Sequence, residues 1–175
     1  MIELMIVIVL VAILLALAMP SFNGILQRYR VNTAANKIAN ALQFARIEAI
    51  RTRNNITVAQ AGTLVECDTD GTVADWHCGV DVKNAAATLK TIPASSLYAL
   101  NVTGGNLIFT PLGYTTTCAT CNDLSADSFI YVWPAALGPT PPTAPNAVIN
   151  TVCATRAGKI KVIPTRIAAV TDCNN

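Results

Sequence analysis

The chain has 175 residues, enough for one compact domain and too few for two of ordinary size. Hydrophobic residues make up 53% and charged residues 13%, and the apolar surplus is concentrated in the first 22 positions, so the whole chain is not an ordinary soluble globule. A net charge of +2 excludes any argument from bulk charge, although its distribution is uneven.

The first element is an apolar helix. Leu4 to Gln27 carries no charge, and Leu4 to Met19 is almost wholly Leu, Ile, Val, Ala and Met. A helix crossing a bilayer needs roughly 20 apolar residues, a length reached if the run extends to Phe22 or Ile25. Arg28 and Arg30 mark its far boundary. A removable signal peptide has a basic start and a small-residue cleavage site. Here an acid, Glu3, precedes the core instead, so residues 1–27 are expected to stay as a membrane or filament-core helix. A carboxylate heading an apolar span is a functional candidate. It also suits a helix N-terminus, where an acid is favoured. In an assembly it would pair with a neighbour's N-terminal amine. Pro20 interrupts the run and is expected to kink or loosen the helix.

Beyond Gly24 the helical period resumes. Ala35, Ile38, Leu42, Ala45 and Ala49 form an apolar stripe at three- and four-residue steps, which predicts packing on a sheet over residues 28–53. Asn54 and Asn55 are expected to end the helix. This stretch is basic, with Arg28, Arg30, Lys37, Arg46, Arg51 and Arg53 against Glu48.

From Ile56 onward short alternating runs replace the helical period. Strands are predicted at Ile56–Ala59, Thr63–Glu66, Gly79–Val82, Thr88–Ile92, Ser96–Leu100, Asn106–Thr110, Ser128–Trp133, Ala147–Thr155 and Lys159–Ile163. Ala61-Gly62, Gly104-Gly105 and Ala157-Gly158 read as turns. Many short strands after one long helix predict an α+β domain over residues 28–175, with antiparallel sheets over 56–175. Four prolines (Pro139, Pro141, Pro142, Pro145) mark a stiff loop.

The start, Met1-Ile2-Glu3-Leu4-Met5-Ile6-Val7, resembles the N-terminus of type IV pilins and type II secretion pseudopilins. Glu3 stands at the family's glutamate and Pro20 at its helix-breaking proline. The family's leader, cleavage glycine and N-terminal Phe do not appear, so Met1 is expected to stand just inside the mature start, and cleavage and N-methylation are not read directly. Ala45-Arg46-Ile47-Glu48-Ala49-Ile50-Arg51, Asp75-Trp76, Gly79-Val80, Leu107-Ile108-Phe109-Thr110-Pro111-Leu112-Gly113 and Gly158-Lys159-Ile160-Lys161 together resemble GspH/FimT-type minor pilins. The resemblance implies a pilin fold: a long two-part helix packed on antiparallel sheets. It implies a minor pilin of a type IV pilus, held in the inner membrane of a Gram-negative bacterium with a periplasmic domain. The subunit would then assemble into the filament near its tip. The implied partners are major and minor pilins, the inner-membrane assembly machinery and membrane lipid. A type II secretion pseudopilin is the alternative.

Six cysteines (Cys67, Cys78, Cys118, Cys121, Cys153, Cys173) all follow the helix, which suggests disulfides formed outside the cytoplasm. Cys67 with Cys78 would staple a loop, and the Cys153–Cys173 pairing resembles the C-terminal disulfide loop of many pilins. Cys118-Ala119-Thr120-Cys121 lacks the partner ligands of a zinc site and the context of a redox pair. Asp68-Thr69-Asp70-Gly71 hints at calcium but lacks the remaining ligands of that motif. His77 has no partner for acid–base chemistry. No enzyme, cofactor or metal is expected.

Arg156, Lys159, Lys161 and Arg166 form a basic group with no acid between them. Lys159 and Lys161 would share one strand face, with Arg156 across the turn, and such a patch contacts phosphates. In some members of the resembling family this element binds DNA during natural transformation. Here lysines replace its arginines, keeping charge but losing the bidentate fork. The other reading is a solvated hairpin or a contact with the next subunit.

Overall fold

The computed structural model describes residues 2–61, 79–93, 95–102, 106–116, 128–138, 141–143 and 147–165, and within the helix the side chains at 15–22 are left aside. One helix, α1 (Ile2–Thr52), runs unbroken through Pro20 and is followed by short strands. At 1.5 Å per residue its path is about 75 Å long. It ends one residue before the expected Arg53, which itself adopts a left-handed conformation with φ 54°. A non-glycine residue there costs roughly 1 kcal/mol, and the turn into the first strand requires it.

The strands are β1 (Ile56–Gln60), β2 (Gly79–Lys83), β3 (Thr88–Pro93), β4 (Tyr98–Val102), β5 (Leu107–Phe109), β6 (Thr115–Thr116), β7 (Ser128–Pro134), β8 (Asn150–Ala154) and β9 (Ile160–Ile163). All described pairings are antiparallel. They build two sheets, in the orders β3-β2-β1-β5-β6 and β4-β7-β8-β9. The protein is therefore α+β, with a helix packed on antiparallel sheets. Sequence patterning found each of these strands except β6, too short at two residues to show a period. The expected strand Thr63–Glu66, Gly62 of the turn before it and the Gly104-Gly105 turn lie outside the described residues, whereas Ala61 is described and its N–H donates to Gly79 O at 3.0 Å.

The predicted stripe is the packed face of the helix. Ala35, Ile38, Leu42, Ala45 and Ala49 are all buried. They form one core with Val58, Val80 and Phe109 from the first sheet and Leu100, Ile130 and Val152 from the second. The alanines let the helix approach both sheets closely, and Leu42 and Ile38 fill the space between them. Alternation puts Tyr131, Trp133 and Cys153 on the other face of the second sheet, in a smaller core of their own. There the Trp133 indole N–H donates to the Gly138 carbonyl at 2.9 Å.

One polar pair closes the lower end of α1. The Arg51 guanidinium donates through Nε (2.8 Å) and Nη2 to the Glu48 carboxylate. That hydrogen bonding holds the Glu48 carboxyl below its usual range. Stability from this group is fully present above the unfolded carboxyl value of about 4.3 and is lost as pH falls through the lower folded value. Glu48→Gln should therefore flatten the fall in urea midpoint between about pH 5 and about pH 3. Arg51 is largely exposed, so the change should be modest. An unaltered acid slope in the variant would show that the pair contributes nothing.

The N-terminal half of α1 is different. Every described side chain from Ile2 to Leu14 is exposed, Ile2 by 76% and Leu14 by 67%. Among the described residues no helix is long and apolar enough to cross a membrane. The described apolar run ends at Leu14, whereas the expected span to Phe22 or Ile25 takes in the side chains at 15–22.

Candidate functional site

Three short segments, far apart in sequence, meet at one end of the sheets. The first is Arg46 on α1. The second is the turn Pro111–Tyr114 between β5 and β6. The third is the turn Thr155–Lys159 between β8 and β9.

Each turn is tight. In the second segment, Gly113 N–H donates to Thr110 O (2.8 Å) and Thr110 N–H to Tyr114 O (2.9 Å). In the third, Gly158 N–H donates to Thr155 O (2.7 Å) and Thr155 N–H to Lys159 O (2.9 Å). The Lys159 N–H also donates to Thr155 Oγ1 at 3.1 Å. Both turns need positive φ, 80° at Gly113 and 76° at Gly158, which is why glycine stands there.

The turns are joined to each other and to the helix. Thr115 N–H donates to Arg156 O (3.0 Å), and the buried Thr115 Oγ1 donates to Thr155 O (2.8 Å). These bonds tie β6, at one end of the first sheet, to the second sheet. Arg46 Nη2 donates to Ala157 O at 3.2 Å. A Cβ at Gly158 would lie 2.1 Å from Gly113 O and 2.7 Å from Arg46 Nε. Arg46 thus lies against both glycine turns. Its Nε is buried without a hydrogen-bond partner. Sequence reading singled out Arg46, Gly113 and Gly158 in separate motifs, and no local signal showed that they touch.

The basic candidates sit around this lock. Arg156 and Lys159 are exposed on the turn. Lys159 precedes β9 rather than belonging to it, so strand alternation does not decide its direction. Lys161 is on β9, half-buried and paired with Cys153 across β8, on the face of the sheet turned away from α1. The turn therefore gathers Arg156 and Lys159, and Lys161 follows along the edge strand β9. Arg166 lies outside the described residues.

Among the other candidates, Glu3 is exposed in the first turn of α1. Cys153 is fully buried and disulfide-bonded. Cys67, Cys78, Cys118, Cys121 and Cys173 lie outside the described residues, as do Trp76, His77 and the Asp68–Gly71 turn. Among the described residues no group of His, Cys, Asp or Glu could hold a metal.

The family model of the type II transport protein GspH matches residues 34–136, more than half of the chain. The chain belongs to the GspH family. The matched span covers the packed half of α1, including Arg46, and both sheets through β7, including Gly113. This GspH-family protein shares its fold with the type IV minor pilin FimU of Pseudomonas aeruginosa. Against one crystal form the identity is 18% and the TM-score 0.54, covering 79% of this chain and 97% of FimU. Against a second form the identity is again 18% and the TM-score 0.56, covering 82% and 96%. The minor pseudopilin EpsH of the Vibrio cholerae type 2 secretion system is 12% identical with a TM-score of 0.48, covering 77% and 96%, too distant in shape to argue from. No protein of curated function matches the sequence.

Proposed function

We propose that this GspH-family protein is a minor pilin of a type IV pilus, held first in the inner membrane with its sheet domain in the periplasm and then built into the filament. It would act there as a structural subunit beside other major and minor pilins, near the tip or in a priming complex, and not as an enzyme. The observation carrying this reading is the N-terminal half of α1. A helix that is apolar on every side requires an apolar surrounding, which lipid or neighbouring helices supply. Glu3 is the one charge in that half, and a buried carboxylate requires an opposite charge. A neighbour's N-terminal amine meets that requirement and sets axial register. The fold shared with FimU supports a pilus. The family description favours a type II secretion pseudopilus as the alternative, and purified filaments of each kind, probed for this subunit, distinguish them.

The test is Glu3→Ala. The variant should still enter the membrane, while its incorporation into filaments falls roughly tenfold or more, because the facing amine is left unpaired. Wild-type incorporation would remove the register role.

A second reading, capture of extracellular DNA, is favoured by Arg156 and Lys159 both standing exposed on one turn. Duplex DNA should then shift with the purified protein at low salt, and the shift should weaken steeply as salt rises. Arg156→Gln with Lys159→Gln should abolish it. A shift that survives both substitutions, or none at low salt, speaks for a subunit contact instead.

A further inference from the structure

The two sheets are tied together at the β6 end, and at the other end, among the described residues, β3 and β4 are not paired with each other. The order of each described sheet leaves β3 at the end of one and β4 at the end of the other. Each pairs on one side only among the described residues, β3 with β2 and β4 with β7. Between them, over the helix, lies a cleft of about 460 Å³. Lys37 and Asn40 line it from α1, Lys90 from β3, and Ser95 and Tyr98 from the far side.

The lining is rich in hydrogen-bond donors and positive. Among the described residues no carboxylate lines it, and neither lysine has an acidic partner. Asp81, on the neighbouring strand, is engaged with Lys83 at 3.1 Å and accepts at 2.6 Å from the hydroxyl of Thr91, which itself lines the cleft. Burial pushes the Tyr98 phenol up, so it remains a neutral hydroxyl able to donate.

A lysine on an edge strand often guards that edge against pairing. Lys90 is placed otherwise. Register sets it opposite Val82, on the face turned to the helix, and its Nζ lies 5.4 Å from the centre of the Phe44 ring. Lys90 stays exposed while its ammonium lies over a ring of the helix, and the outer edge of β3 pairs with no described strand.

We propose that this cleft receives an acidic, extended segment of a partner polypeptide, which pairs with the edge of β3 left unpaired among the described residues and directs carboxylates to Lys37 and Lys90. Edge pairing supplies the ordered half of the recognition and the cleft supplies the side-chain preference. The lysines are long, mobile point charges. A lone small anion would gain little order from them, whereas a chain fixed along β3 brings its carboxylates to them repeatedly. The inference is independent of Glu3, since it places a partner on the opposite part of the molecule.

The experiment uses the full chain in detergent micelles and a labelled peptide alternating Glu and Thr, with a Gln–Thr peptide as control. Fluorescence anisotropy should show the Glu peptide binding roughly tenfold more tightly than the control. Lys37→Gln and Lys90→Gln should each weaken it roughly fivefold, and Lys37→Arg should restore most of the affinity. Hydrogen exchange at the β3 amides should slow when the Glu peptide is bound. Equal affinity for both peptides would overturn the proposal. So would binding indifferent to both lysines, or binding that leaves β3 exchange unchanged, which would mark a simple anion site. Full competition by inorganic phosphate at concentrations matching the peptide would overturn it as well.

Discussion

Replacing Gly158 with alanine should lower the stability of the sheet domain by roughly 3 kcal/mol. Two effects act at the same atom. The backbone sits at φ 76°, where an L side chain is strained, and the added Cβ would stand 2.1 Å from Gly113 O and 2.7 Å from Arg46 Nε. The nearer neighbour is a backbone oxygen in a second tight turn, not the end of a flexible side chain, so relief requires one of the two turns to move. Movement would break the bonds from Thr115 to Arg156 O and Thr155 O and open the closed end of the sheets. Thermal melts should show a lower midpoint, and amide exchange should speed up first at residues 113–116 and 155–159. Gly24→Ala is the matched control: nothing lies within 4 Å of its added Cβ, and alanine favours a helix. Its melt should equal or exceed wild type. A Gly158→Ala protein with an unchanged midpoint would show that the turns do not depend on each other.

Phe109→Ala should be about as damaging, costing roughly 3–5 kcal/mol. Phe109 is fully buried, in a strand of three residues that pairs with β1 on one side and β6 on the other. Truncation leaves a cavity against the helix, and a strand so short has few other contacts with which to collapse into it. Because β6 carries Thr115, the damage should spread to the tie between sheets, whereas Ile108→Ala, on the other face of the same strand, should cost less. Urea unfolding of the two variants reads the difference directly, and equal losses would place the weight of β5 in its backbone pairing alone.

The functional half of the molecule responds to different forces. The sheet domain holds itself together through its own core, and the N-terminal half of α1 does not. Stability measurements on Gly158 or Phe109 variants therefore report the head, while filament incorporation of Glu3→Ala reports the stalk. Separating the two keeps a folding defect from being read as an assembly defect.

Much was legible from local pattern. The stripe Ala35, Ile38, Leu42, Ala45, Ala49 has the helical period, and a period is a property of neighbours in sequence. The same holds for the alternating strands and for glycine in the Ala157-Gly158 turn. The uncharged run behind Glu3 needs only composition to be seen. What local pattern could not carry was which distant pieces touch. β1 pairs with both β2 and β5, and no periodicity chooses partners across such separations. β6 is too short for any period, yet its Thr115 joins the sheets. Arg46, Gly113 and Gly158 looked like separate marks, and their meeting depends on how the helix lies beneath both sheets. The cleft at β3 and β4 likewise exists only once sheet order is settled. Sequence by itself determined the elements, their buried faces and the apolar stalk with its single acid, because those follow from side-chain chemistry at short range. The tertiary structure alone decided the closed end and the cleft with its two lysines, because long-range packing sets which edges meet and which, among the described residues, do not.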